Sequence, residues 1–100
     1  MSTAGIGAVS GKLVVESFRN VVAVAGTVVL YSSKLYAVEE AHIANAVGTG
    51  TTAVVANVVS TGFTAGSVVP NAIVVSVTDG VTGAAVAGTI QSISLILRGT

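Results

Sequence analysis

The residues best suited to chemistry lie close together near the middle of the chain. Glu39, Glu40 and His42, the only histidine, form a Glu-Glu-x-His cluster. On a helix, Glu39 and His42 would be three residues apart and would share a face. That spacing occurs in carboxylate-bridged metal sites, which take a second copy of the pair from another helix. Only symmetric oligomerisation could supply that copy, so we favour a solvated or interface surface over a metal site.

Other catalytic arrangements lack their partners. A Ser-His-Asp system would have to use His42 and Asp79, and no Gly-x-Ser-x-Gly elbow is present. Adjacent Glu39 and Glu40 would diverge on a helix or a strand, which does not suit paired acid–base carboxylates. No phosphate-binding glycine loop occurs, and one carboxylate is too few for a calcium loop. We therefore expect no catalytic, cofactor-binding or metal site, and no enzyme activity; a turnover that depends on His42 is the remaining enzyme hypothesis.

Charge is scarce and unevenly distributed. Only 8% of the 100 residues are charged and the formal net charge is zero, whereas soluble proteins average about 25%. From Ala41 to Leu97, Asp79 is the only charged residue. A surface built from Thr, Ser, Asn, Gly, Ala and Val is typical of a protein that neighbours cover, the alternative being a poorly soluble monomer. We expect the charged segment at 12–40 to face solvent or to set specificity.

Composition also bears on the choice of partner. Four basic and four acidic residues provide no positive surface for DNA or RNA. The longest apolar run, 21–31, is shorter than the roughly 20 residues that span a bilayer, and the N-terminus lacks the features of a secretory signal. Because cysteine is absent, disulfides and thiolate metal sites are excluded. We expect no nucleic acid, membrane or small-molecule substrate as a partner.

Short β-branched segments separated by turn residues dominate the chain. We predict strands at 12–18, 21–25, 27–31, 53–60, 67–69, 72–78, 84–87 and 89–97. We predict turns or loops at 19–20, 48–52, 61–66 and 78–83, and a tight bend or bulge at Gly26. Ile93, Leu95 and Leu97 alternate with polar residues and predict a buried face. This alternation slips near Gln91, which indicates a bulge.

One segment has helical character. Ser32 or Ser33 can cap a helix, the residues that follow are good helix formers, and Gly48 suits the position after its end. We therefore predict a short helix over 35–46, with a strand at 34–38 and a polar loop as the alternative. One face of this helix would carry Leu35, Val38, His42 and Ala46.

Together these elements predict an all-β fold, a β-sandwich or small barrel, with an immunoglobulin-like topology as one option and the short helix near 35–46 as an addition. Residues 1–11 are rich in Gly, Ser and Ala and predict a flexible, extended N-terminal arm. Residues 12–100 are expected to form a single β-rich domain.

Residues 76–90 read Ser-Val-Thr-Asp-Gly-Val-Thr-Gly-Ala-Ala-Val-Ala-Gly-Thr-Ile. This segment resembles part of the immunoglobulin-like and carboxypeptidase-regulatory-like β-sandwiches of bacteria. The matching positions are Asp79, Thr82, Gly83, Val86 and Gly88. Ala84 and Ala85 stand where proline is frequent. The resemblance implies a sandwich fold.

The whole chain resembles the small virion structural proteins of tailed phages, especially capsid decoration or cement proteins. It shares their length, their Gly/Ala/Thr/Val-rich strands, their N-terminal arm and their lack of cysteine. The resemblance implies a location in the virion, after synthesis in the host cytoplasm, and many copies that bind one another and a major capsid or other virion protein. Two alternatives stay open, a homomeric filament or tube subunit and an immunoglobulin-like adhesin or carbohydrate-binding module. Sugar sites usually present aromatic platforms, and Tyr31, Tyr36 and Phe63 are few and scattered.

Overall fold

A computed structural model describes residues 11–48, 53–62 and 69–100. The strands in these residues are β1 Lys12–Ala23, β2 Thr27–Tyr31, β3 Val38–Val47, β4 Val54–Thr61, β5 Ala72–Asp79 and β6 Gly88–Gly99. They form two antiparallel three-stranded sheets, sheet I in the order β1-β6-β3 and sheet II in the order β2-β5-β4. The two sheets pack against each other, which confirms the predicted all-β sandwich.

The central strand of each sheet supplies most of the core. Every second residue of β5, and of β6 from Ile93 onward, points inward, and the fully buried side chains of these strands include Ile73, Val75, Val77, Ile93, Leu95 and Leu97. The buried face predicted for the end of β6 is thus confirmed. Burial of each such side chain contributes about 1.5–3 kcal/mol.

The helix predicted over 35–46 is wrong, because Val38–Val47 form strand β3. β3 pairs with β6, and the ladder skips Glu39 and Ala44, so β3 contains two bulges. The bulges alter which residues of β3 point inward: Val38, Ala41, Ile43 and Ala46. Their spacing of three, two and three residues departs from the strict alternation of a regular strand, so the sequence pattern of this segment does not reveal a strand. The good helix formers of this segment are overridden because pairing with β3 satisfies the backbone hydrogen-bonding groups on the second edge of β6.

The segment before β3 is a turn rather than the start of a helix. Ser32 Oγ accepts hydrogen bonds from the backbone N–H groups of Lys34 at 3.2 Å and Leu35 at 3.0 Å. This is the bonding of a cap, but the chain continues into β3. The alternative of a strand at 34–38 followed by a loop is also wrong, since β3 begins at the last of those residues.

β1 continues through residues 19–20, where the sequence predicted a turn. β1 and β6 keep one register along their whole length, and only the pair of Asn20 with Gln91 is missing. Asn20 has a φ of 54°, a left-handed conformation that asparagine tolerates better than most residues. In both strands, the alternation of inward and outward side chains shifts by one residue at this point. The slip near Gln91 is therefore observed, but no residue is inserted in this ladder and the predicted bulge is replaced by a missing pair.

A two-residue turn carries the chain from sheet I to sheet II. Ala25 and Gly26 have φ values of 51° and 82°. Val24 and Thr27 exchange backbone hydrogen bonds of 2.9 and 3.0 Å across them. Two consecutive positive φ values define a type I′ turn, whose twist suits a hairpin. The tight bend predicted at Gly26 is confirmed.

The turn predicted at 78–83 is confirmed, whereas the strand predicted at 84–87 is wrong. Beyond the turn the chain makes one isolated bridge, between Ala85 and Thr78, before β6 begins. The arm at 1–11, apart from Gly11, and parts of the elements predicted at 48–52, 61–66 and 67–69 lie outside the described residues. In the described part of the chain, no helix has the length and apolar character needed to cross a bilayer.

Candidate functional site: an uncharged sheet face and its open edge

Strand β3 separates the members of the predicted Glu-Glu-x-His cluster. Glu40 and His42 lie two residues apart on the outer face of sheet I, with Glu40 Oε2 3.3 Å from His42 Nε2. Glu40 Oε1 is 3.4 Å from Nε of Arg98 on β6. Glu39 and His42 were to share a face only on the predicted helix; on β3 the carboxylate that contacts His42 is that of Glu40. Among the described residues, no three His, Cys, Asp or Glu side chains group as a metal site.

Asp79 is used by the turn that follows β5. Its Oδ1 accepts hydrogen bonds from the backbone N–H groups of Val81 at 2.7 Å and Thr82 at 3.0 Å. These bonds hold the pKa of Asp79 below its ordinary value, and burial opposes them only weakly. The side chain therefore fixes the local backbone, as an Asx turn does.

Glu16 on β1 is the one acidic side chain that the described part of the fold buries. Its Oε1 accepts a 2.7 Å hydrogen bond from Ser32 Oγ. Its Oε2 accepts bonds from the backbone N–H and the hydroxyl of Ser33, at 2.8 and 2.7 Å. Burial by itself would raise the pKa of Glu16, but the bonds from Ser33 and Ser32 outweigh it and lower the pKa below 4.5.

The carboxylate of Glu16 thus anchors the turn before β3 to β1. The expectation that the charged residues of 12–40 face solvent is wrong for this side chain. A signal was available in the sequence, because Glu16 alternates with Val14 and Phe18, which also turn toward the interior. Ser32 and Ser33, which the sequence predicts as helix-cap residues, supply its hydrogen-bond donors.

The outer face of sheet II is free of charge along all three described strands. Because Val28, Leu30 and the β5 core residues point inward, the residues between them point out. The outward residues are Thr27, Val29 and Tyr31 on β2, Ala72, Val74, Ser76 and Thr78 on β5, and Val55, Asn57 and Val59 on β4. We call this set the sheet II face.

Several apolar side chains of the sheet II face are well exposed. The exposed fraction is 46% for Val29, 55% for Tyr31 and 64% for Val59. The outer face of sheet I differs, because it carries Arg19 and the ion pair of Glu40 and Arg98 beside its own exposed apolar residues. The sandwich therefore has one charged outer face and one uncharged outer face.

An open groove separates β4 from β3, at the side of the sandwich where these two edge strands meet. Its volume is about 440 Å³. The lining residues are Ala41, His42 and Ile43 of β3 and Ala56, Asn57 and Val58 of β4. The side chains of His42 and Asn57 add polar groups to its small apolar residues.

The aromatic residues considered for a sugar-binding site do not all fall within the described residues. Tyr31 lies on the sheet II face, and Tyr36 is 80% exposed in the segment before β3. Phe63 lies outside the described part of the chain.

The chain matches no protein-family model, no curated protein and no solved structure. Its function must therefore be inferred from the surfaces of the sandwich.

Proposed function

We propose that this protein is a structural subunit of a multi-copy assembly, in which other protein chains cover the sheet II face. The observation that carries the proposal is the absence of charge from that face along the described lengths of β2, β5 and β4. A free protein keeps its copies apart with charged residues distributed over its surface. The centre of a protein–protein interface is depleted in charged residues, as this face is.

We propose a virion as the setting, with the chain acting as a capsid decoration or cement protein that binds a major capsid or other virion protein and its own copies. The difference between the two outer faces supports this role. A protein that coats a shell needs one face suited to burial, and the sheet II face suits this role better than the outer face of sheet I, which carries the charges of Arg19, Glu40 and Arg98. Exposed valines such as Val29 and Val59 supply apolar area for the buried contact.

A pair of matched substitutions tests the proposal. Val29 on the sheet II face and Val15 on the outer face of sheet I are 46% and 57% exposed, and each can be changed to lysine in the full chain. Particles from the natural source of the protein are separated by gradient centrifugation, and the chain is quantified in each fraction. We expect the wild type and Val15→Lys to sediment with large particles and Val29→Lys to stay at the top.

Two results would contradict the proposal. One is a wild-type chain that is found only as a small species at the top of the gradient. The other is equal release by Val15→Lys and Val29→Lys, because the sheet II face would then have no special role. Circular dichroism of each variant confirms that the strands are retained before the gradients are compared.

A further inference from the structure

The four edge strands of the sandwich differ in their protection against pairing with another chain. An edge strand presents N–H and C=O groups that have no partner on one side. Proteins protect such edges with charged side chains, bulges, short strands or a covering segment. The edges here are β1 and β3 in sheet I and β2 and β4 in sheet II.

Three of these edges carry such protection. β1 has Lys12 and Arg19, and the ammonium group of Lys34 donates a 2.7 Å hydrogen bond to the carbonyl of Val15 at this edge. β3 has two bulges and the charged pair of glutamates at its start. β2 has only 5 residues.

β4 lacks most of these devices. Its 8 residues, Val-Val-Ala-Asn-Val-Val-Ser-Thr, include no charged residue, proline or glycine. They are rich in β-branched side chains, which favour strands. The one irregularity is a register shift between Val58 and Ser60, near the end of the strand. An uncharged, extended edge of this kind is the feature that pairs with another strand.

The backbone groups that point out of the β4 edge follow from one hydrogen bond. The carbonyl of Ala53 accepts a 3.0 Å bond from Gly80 N–H, so it points toward the β5 side. Backbone groups alternate in direction along an antiparallel strand. Those of Val54, Ala56 and Val58 therefore point away from β5, and no described strand pairs with them there.

We propose that the β4 edge pairs antiparallel with the β4 edge of a second copy, about a two-fold axis that passes near Ala56. This inference rests on the proposed function and names a contact by which the copies bind one another. In this register Ala56 lies opposite Ala56 of the other copy, and Val54 lies opposite Val58. These residues would exchange about six backbone hydrogen bonds, and sheet II would become a continuous six-stranded sheet.

The absence of charge from β4 favours a second copy of β4 as its pairing partner. Antiparallel pairing about a two-fold axis brings a strand against itself. For β1 or β3 this would place like charges near one another, but β4 has none, so its own copy is electrostatically compatible. The pairing would also join the two sheet II faces into one uncharged surface, as a shell-binding dimer requires. An open groove runs beside Ala56 and Val58, between β4 and β3.

Two variants of β4 and one control on β2 test the inference. Ala56→Pro removes an N–H group that points away from β5, so it blocks the new pairing and spares the existing ladder. Asn57→Lys places two positive charges roughly 7–8 Å apart across the axis. Thr27→Lys is the control, because Thr27, Ser76 and Asn57 form one row across sheet II and Thr27 lies at its opposite edge.

Sedimentation equilibrium of the purified full chains gives the dimer dissociation constant. We expect dimers of the wild type and of Thr27→Lys, and dimers weaker by about tenfold or more for Ala56→Pro and Asn57→Lys. A wild type that stays monomeric at all concentrations overturns the inference, as does an equal loss for Thr27→Lys and Asn57→Lys. A monomer that still sediments with particles overturns the β4 pairing and leaves the proposed function intact. Dimers that never join particles overturn the proposed function and leave the β4 pairing intact.

Amide hydrogen exchange gives a second readout that needs no substitution. The N–H groups of Ala56 and Val58 should become protected as protein concentration rises through the dimer dissociation constant. Protection that is strong and independent of concentration overturns the inference, because a segment of the same chain would then occupy the edge. Circular dichroism shows whether Ala56→Pro retains its strands.

Discussion

Replacement of the buried carboxylate by its neutral amide, Glu16→Gln, tests how the turn before β3 is held. Three hydrogen bonds from Ser32 and Ser33 reach the carboxylate. A hydrogen bond to a charged group contributes about 1.5–3 kcal/mol and a neutral one about 0.5–1.5 kcal/mol. The bonds that the amide oxygen still accepts weaken by about 1 kcal/mol each, and the bond on the side of the amide nitrogen, which only donates, is lost at a similar or greater cost. We expect Glu16→Gln to lower the free energy of unfolding by about 2–3 kcal/mol.

The pH dependence follows from the lowered pKa of Glu16. Because the folded pKa lies below 4.5, the ionised carboxylate stabilises the fold fully above that pH. This stabilisation is lost as the pH falls through the folded pKa. The difference in stability between the wild type and Glu16→Gln should therefore be constant near neutral pH, shrink below about pH 4.5 and then vanish. The lowered pKa of Asp79 acts equally in both proteins and cancels.

Urea unfolding followed by far-ultraviolet circular dichroism measures this difference at a fixed protein concentration, since association changes apparent stability. Glu39→Gln is the matched control, because Glu39 is exposed and surface substitutions change stability by about 0.5 kcal/mol or less. In thermal unfolding, Glu16→Gln should lower the Tm by roughly 10–20 °C. Equal stabilities of Glu16→Gln and Glu39→Gln would refute the reasoning, as would a difference that persists at low pH.

Three further outcomes follow from particular contacts. A Cβ atom at Gly99 would collide with the carbonyl oxygen of Ala37, so Gly99→Ala should cost about 1–3 kcal/mol in urea unfolding. Gly83→Ala is the matched control, because Gly83 has open space around it. Only its φ of 77° opposes the change, at a cost of about 1 kcal/mol. A larger loss of stability for Gly83→Ala than for Gly99→Ala would contradict this reason. Glu40→Gln breaks the exposed ion pair with Arg98 and should cost less than about 1 kcal/mol, with a smaller effect in high salt; a larger, salt-independent loss would count against it. Self-association of the wild type should persist in 1 M salt, where the screening length of charges is roughly a third of its value at 0.1 M. Dissociation in 1 M salt would contradict an uncharged interface.

Some elements could be predicted from the sequence because their signals are local. The alternation of Ile93, Leu95 and Leu97 with polar residues identified the buried face of β6. Gly26 marked one turn because glycine adopts a positive φ without steric cost. Asp79 marked another because its carboxylate accepts hydrogen bonds from the backbone of the turn. These features depend on a few adjacent residues, so no knowledge of the fold was required.

Other elements depended on contacts that the local sequence does not contain. The bulges at Glu39 and Ala44 appear only in the pairing of β3 with β6, and they interrupt the alternation that would have identified a strand in the sequence. Glu16 could be buried only because Ser32 and Ser33 come close from another part of the chain. The open edge of β4 likewise follows from the strand order, which pairs strands far apart in sequence.

The uncharged sheet II face is the feature that most of the account depends on. The absence of charge from 41 to 97, apart from Asp79, predicted a covered surface. In the fold, that stretch supplies β4 and β5 of the face. The third strand, β2, comes from the charged half of the chain but adds no charge to the face. The sequence alone could not assign β2 to this sheet, because the turn at Ala25-Gly26 would also suit two strands of one sheet.

The most direct measurement is the labelling of single cysteines in assembled particles. Because the chain has no cysteine, Val29→Cys and Val15→Cys each introduce one thiol, on the sheet II face and on the outer face of sheet I. A maleimide should label both variants rapidly in the free chain. In particles isolated from the natural source, we predict that Val29→Cys is protected while Val15→Cys is still labelled. Labelling of Val29→Cys at the same rate in particles and in the free chain would contradict the account.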